Sequence, residues 1–202
     1  IMPILPLIRE SIVRSHAKGI ENALLLGNHS TGVYTSGTFD GLIKMASADS
    51  DETQSATAVA SDTITAAELL ALRKNMGKYG VNPNDVVYIV SQTAYFQLLE
   101  DAEFQDANLV GDMATKLTGE IGQVFGSRVL LCDEFPAQAA SGYGAVAVYA
   151  RNYVMPRLRG VTIESDYEVA NQRRVLVASQ RIGFTDLIDG ATSKWAYKYK
   201  AS

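Results

Sequence analysis

The chain is 202 residues long, 47% hydrophobic and 20% charged, enough for a sizeable core in one large domain or two small ones and too apolar for wholesale disorder. Its net charge of −4 gives no reason to expect a general nucleic-acid binder, and its single cysteine, Cys132, excludes an intramolecular disulfide. No apolar run approaches the roughly twenty residues of a membrane span, because Pro3, Pro6, Arg9, Glu10 and Arg14 interrupt the N-terminal stretch, so no membrane partner is expected.

The charge is unevenly spread. Residues 1–127 carry 8 basic and 15 acidic side chains, whereas residues 128–202 carry 10 and 7. Such asymmetry lets one part of a molecule meet the opposite part of a neighbour, and a solvated surface with no partner accounts for it as well. The first residue is Ile1 and not Met, which reads as a processed or truncated chain without a secretory signal.

Residues 5–26 predict a long helix. Leu5, Ile8, Ile12, Val13, Ala17, Ile20 and Leu24 recur at helical spacing. Pro6 fits the first turn, Glu10 and Arg14 stand four apart in the favourable order, and Gly27-Asn28 is a stop signal. At 1.5 Å per residue the rod is roughly 33 Å long. His16 on it reads as a packed or partly exposed histidine. The stretch rich in Gly, Ser and Thr that follows, to Leu42, predicts loop with a short strand near Val33 and Tyr34. Residues 46–63 nearly lack large apolar groups and predict a mobile or surface linker, with an architectural boundary near residue 60.

Thr65 and Glu68 have capping-box spacing ahead of Leu69, Leu70, Leu72 and Met76, so a second helix is expected over 65–77. Val86 to Val90 predicts a short buried strand, and Ser91 or Gln92 starts another helix, an α/β segment. Residues 104–127, with Gly111, Gly119, Gly122 and Gly126, predict loop with fragments of structure. RVLLCDEF from Arg128 and AVAVYA from Ala145 read as strands, and YVMPRLRG from Tyr153 as a third, bent at Pro156. Cys132, inside its apolar run, reads as a buried small hydrophobe.

Residues 161–189 read as two strands joined at a tight polar turn, the second running from Gln172 to Ile188. Strands usually have five or six residues, and this one would extend for roughly 55 Å at about 3.3 Å per residue. A strand that long must leave its own core. Arg173, Arg174 and Arg181 interrupt the apolar set Val175, Leu176, Val177, Ala178, Ile182, Phe184 and Leu187, as expected of a ribbon covered on part of its length. The final KWAYKYK sets Trp195, Tyr197 and Tyr199 against Lys194, Lys198 and Lys200, which predicts an edge strand guarded by lysines; the same interleaving is only a weak signal for nucleic acid.

Catalytic constellations are thin. His16 and His29 lie on separate segments, and no Cys or His pair has metal-ligand spacing, so neither a zinc site nor a Cys-His nucleophile is expected. Gly142-Tyr143-Gly144 precedes a strand and lacks the third glycine of a dinucleotide loop; it reads as a turn, and no cofactor is expected. Asp133-Glu134 and the group Asp49, Asp51 and Glu52 carry carboxylates that could hold a cation or act in acid/base work, but beside proline or in a Ser-rich loop they read as solvated.

The order of these elements carries a resemblance. A long helix ending in LLLGN, a loop reaching Asp40-Gly41-Leu42, VVYIVSQTAYFQLL, GQVFGSRVLLCDEFP, AVAVYARNYV and RRVLVASQRIGFTDL together resemble the major capsid proteins of tailed bacteriophages, the Hong Kong 97 fold. The most specific parts are Gly126-Ser127-Arg128-Val129 followed by Asp133 and Pro136, and the ribbon from Gln172 to Leu187. The resemblance implies an α+β subunit with a spine helix, a long β-ribbon and an axial α/β domain. Residues 1–60 and 156–190 would form the peripheral domain, and 61–155 with 191–202 the axial domain. It further implies pentamers and hexamers tiling an icosahedral shell around double-stranded DNA held non-specifically, with scaffold and portal proteins as partners, in a virion made in a bacterial cytoplasm. The chain departs from the family pattern by beginning at the helix, without the N-terminal arm and extended loop.

On this reading the functional residues are contacts. Arg9, Glu10 and Arg14 on the helix and Arg157, Arg159, Arg173, Arg174 and Arg181 are candidates for salt bridges between subunits, with a solvated surface as the alternative for each. Two competing functions remain at this level: an encapsulin-like compartment enclosing cargo enzymes, and a small α/β enzyme, which the scarcity of His and Cys disfavours.

Overall fold

A computed structural model of the chain describes residues 4–29, 39–48, 63–101, 122–139, 142–188 and 192–199. It opens with α1, Ile4–Leu26, one residue longer than the spacing predicts, and α1 stops at Gly27. A Cβ at Gly27 would lie 2.4 Å from the Ala23 carbonyl oxygen and 2.6 Å from that of Phe39, and Gly41 donates its N–H to the Gly27 carbonyl at 2.8 Å. The two glycines let the chain fold back against the helix end.

The returning chain forms α2, Leu42–Ala48. This corrects the expectation of loop followed by linker: Leu42, Ile43 and Ala46 are buried, so one short apolar face gives this segment a helix to pack. The rest of the expected linker, 49–62, and the strand expected at Val33 and Tyr34 lie outside the described residues.

Helix α3, Ala66–Asn75, begins at the predicted capping box, with Glu68 accepting the Thr65 N–H at 3.3 Å. Two further donors at this end are met by the next helix, α4, Gln92–Glu100, and its C-cap: Ile64 N–H donates to Gln97 at 3.0 Å and Ala66 N–H to Asp101 at 2.8 Å. Between α3 and α4 lies β1, Val86–Val90, and Ser91 caps α4 by accepting the Ala94 N–H at 3.1 Å.

Strands β2, Gln123–Val124, and β3, Ser127–Leu131, are joined by Phe125 and Gly126, both at positive φ. Arg73 steadies this turn, donating to the carbonyls of Gly80, Val81 and Phe125. Strand β4, Tyr143–Tyr149, runs beside β1, and β9, Lys194–Lys198, closes the other edge. The order is β2-β3-β1-β4-β9, with β1 and β3 parallel and the other neighbours antiparallel.

This sheet is covered on both faces. Val86, Tyr88, Val90, Ala145, Ala147, Trp195 and Tyr197 point to α3 and α4, whereas Val146, Val148, Ala196 and Cys132 join Leu25, Leu42, Ile43 and Ala46 of α1 and α2. Strict alternation along each strand assigns neighbours to opposite cores. Gly144 belongs to β4, not to a turn, and sits at a register shift where the Tyr199 ring occupies the space a Cβ would need, 2.7 Å away.

The same alternation corrects the lysine guard. Lys194 shares a face with Ala196, and that face is covered, so Lys194 is buried and pairs with Asp186 at 3.2 Å. Asp186 is in β8, Thr185–Asp186, which pairs with β5, Tyr153–Val154.

The ribbon is β6, Arg157–Glu168, paired with β7, Arg173–Ile182, around a turn with Gln172 in the left-handed region. The two-strand reading holds, but its lengths are corrected. The second strand ends at Ile182 instead of Ile188, so it extends about 33 Å. At Gly183 the chain donates to the Pro156 carbonyl at 2.9 Å and turns inward. Phe184 then stacks on Tyr153 at 5.4 Å, and β8 joins another sheet. The first strand begins at Arg157, four residues before the expected Val161, because the break at Pro156 releases Arg157 into the ribbon.

Candidate functional site

Among the described residues, no three His, Cys, Asp or Glu side chains stand together as a metal site, and no helix is long and apolar enough to cross a membrane. Cys132 is buried, its thiol 3.6 Å from Glu21 Oε1, and burial, reinforced by the Glu21 carboxylate, pushes its pKa up against the opposing hydrogen bond from the Glu134 backbone. His29 binds the Asp40 carboxylate through both its backbone N–H and Nδ1; burial raises the Asp40 pKa, but these hydrogen bonds and the His29 charge outweigh it and leave it lowered. Of the acidic groups read as solvated, Asp49, Asp51 and Glu52 lie outside the described residues and Asp133 is exposed. Glu134 is a correction. Its carboxylate is largely covered and accepts from Asn22 at 2.7 Å, with Lys18 at 3.4 Å, which ties α1 to the segment after β3.

What the structure exposes is surface for contact. From Pro6 to Gly19, α1 is almost wholly exposed, including Leu7 and Val13. The ribbon is exposed over most of β6 and half of β7, and Leu158, Val161, Val169 and Val177 are among the exposed apolar residues. A two-stranded ribbon without a covering layer is marginal in water, and burying one such side chain contributes about 1.5–3 kcal/mol. Val154, Met155, Leu187 and Ile188 extend this apolar surface to the ribbon's root.

The candidate contact residues fall into three places. Arg9, Glu10 and Arg14 are exposed on α1, with Glu10 and Arg14 paired to each other at 2.6 Å. Arg157, Arg159 and Arg181 lie at the ribbon base, where Arg159 stands directly opposite Arg181 and Arg157 opposite Ile182. Arg173 and Arg174 lie at the tip, and Arg173 pairs with Glu168. Pairing register, which no spacing in the sequence reveals, makes Arg159 and Arg181 neighbours.

The chain is 39% identical over 183 residues, 90% of its length, to the major capsid protein of Escherichia phage T5. It spans about two fifths of that relative, 39% of its length. Among solved structures, the capsid of a native GTA particle matches 98% of this chain and 66% of its own at a TM-score of 0.68 and 17% identity. The fold is the Hong Kong 97 capsid fold. It is shared by the holo encapsulin of Synechococcus elongatus, which matches 95% of this chain and 65% of its own at a TM-score of 0.59 and 12% identity. No family model matches the sequence. The expected resemblance and the α+β class are thus borne out, with α1 as the spine helix and β6–β7 as the ribbon.

Proposed function

We propose that the chain is the shell-forming part of a major capsid subunit, one that assembles into pentamers and hexamers of an icosahedral phage or prophage head enclosing double-stranded DNA. The identity to the T5 protein carries this reading, and the uncovered spine helix and ribbon supply its physical basis. Its work is burial of interfaces without turnover. Rings need heterologous contacts, in which two different patches of one subunit meet, and opposite net charge in the two parts of the chain suits them.

On this reading residues 1–60 and 156–190 act as the peripheral domain and 61–155 with 191–202 as the axial domain. Scaffold and portal proteins are partners, DNA is held non-specifically, and the protein resides in the virion after synthesis in the bacterial cytoplasm. An encapsulin-like compartment shares the fold, but 12% identity gives it less support than the T5 relative. Electron microscopy of cells expressing the complete gene tests the proposal. Icosahedral particles support it, and a product that remains monomeric at high expression overturns it.

A further inference from the structure

The ribbon has two faces of different character. Along β7, Leu176, Ala178, Gln180 and Ile182 are half-buried, and Gln180, Arg181 and Ile182 line a groove whose opposite wall is His16, Gly19 and Ala23 of α1. Alternation along β7 puts Val177, Ser179 and the exposed Arg181 side chain on the other face. Reading the register from base to tip, it carries Arg159 opposite Arg181, Thr162 opposite Ser179, Glu164 opposite Val177, Asp166 opposite Val175, and Glu168 opposite Arg173.

Charge on this outer face is segregated. Two arginines stand side by side at the base, an arrangement that repels across a strand pair. Toward the tip, Glu164, Asp166 and Glu168 form an acidic row with only Arg173 among them. Part of this is met internally, by Arg159 with Glu164 at 3.1 Å and by Arg173 with Glu168. Neither Arg181 nor Asp166 has an oppositely charged side chain within ion-pair distance among the described residues; Asp166 accepts only the adjacent Tyr167 N–H. They lie roughly 20 Å apart along the strand, about twice the Debye length at physiological salt, so they do not neutralise each other.

Between the two ends the face is low, with Thr162 and Ser179, and Val177 is 57% exposed. A face that is basic at one end, acidic at the other and small at its middle is complementary to itself when turned end for end. We propose that two copies of this chain meet through these outer ribbon faces, base to tip, about a two-fold axis between the levels of Ser179 and Val177. Arg181 of each copy then lies over Asp166 of the other, and the two Val177 side chains flank the axis. This deepens the shell reading, on which it rests for the presence of a second copy, by naming one contact and its symmetry.

The test uses the chain at low salt in the analytical ultracentrifuge, with two variants. One is Arg159→Glu with Arg181→Glu, the other Glu164→Lys with Asp166→Lys. Each alone is expected to weaken self-association by roughly tenfold or more, and a mixture of the two to restore it as mixed pairs. A short bis-maleimide should link Val177→Cys chains, and it should fail on Val169→Cys, since the two tips lie roughly 45 Å apart in this arrangement. Variants that associate like the parent, or linking at position 169 and not 177, overturn the contact. Particles whose 177 thiols stay unlinked overturn it and leave the shell reading standing. A parent chain that neither self-associates nor forms particles overturns both.

Discussion

The Lys194 ammonium stands 3.2 Å from the Asp186 carboxylate, with the lysine side chain 2% and the aspartate 15% exposed. This pair fastens the β8 segment, just past the end of the ribbon, to the edge strand β9. Removing the anion takes an oppositely charged partner from a buried cation. Asp186→Ala should cost up to about 3–5 kcal/mol, whereas Lys194→Met combined with Asp186→Leu should recover most of the loss. Urea unfolding of the three proteins checks this; equal midpoints for the single and double variants would refute it.

Glu134 should titrate below its ordinary value of 4.5, because the Asn22 hydrogen bond favours its charged form, outweighing burial, with Lys18 assisting. A carboxylate lowered in the folded state contributes stability that is complete above the unfolded pKa and fades as pH falls through the folded one. Stability should therefore decline below about pH 4.5, and Asn22→Ala should raise the Glu134 midpoint and shrink that decline. Carboxyl-resolved NMR titration measures both.

Gly41→Ala places a Cβ 2.6 Å from the Gly27 nitrogen and 2.8 Å from the Leu25 carbonyl. Backbone cannot yield there without moving α2 off the end of α1, so a loss of about 1–3 kcal/mol is expected in thermal unfolding. Gly19→Ala, whose Cβ meets nothing within 4 Å, should be neutral or slightly stabilising.

Arg173→Glu with Arg174→Glu lies on exposed ribbon tip, where an ion pair such as Arg173 with Glu168 contributes under about 1 kcal/mol. The circular dichroism spectrum and melting point should stay close to the parent's, and the yield of assembled particles should fall. Unchanged yield would remove these arginines from the contact set.

Cys132 should resist thiol reagents until the chain unfolds, because burial disfavours its thiolate. Labelling that keeps pace with that of an exposed model thiol would show the strand end to be open.

Elements whose signals are local were legible in the sequence. Helix α1, the capping box at Thr65 and the strand Val86–Val90 each announce themselves by spacing and by the residues at their ends. Features set by distant partners were hidden. Helix α2 exists because Leu42, Ile43 and Ala46 meet the far face of the sheet. The ribbon's second strand stops at Ile182 because Pro156, just before the other strand, receives the Gly183 hydrogen bond and Tyr153 receives the Phe184 ring. Arg159 and Arg181 become neighbours only through the register of β6 against β7, and Lys194 looked like a surface guard because no spacing in the sequence reveals its pairing with Asp186.

Strand β4 separates two packed interiors, presenting alanines to one and valines to the other. A slip of one residue would exchange these rows, crowding the interior built around small side chains while leaving voids in its counterpart. Neither error could be absorbed by solvent, since no side of this strand faces water. The alignment of the central wall is therefore enforced twice over, and a misthreaded chain would be rejected from both directions at once.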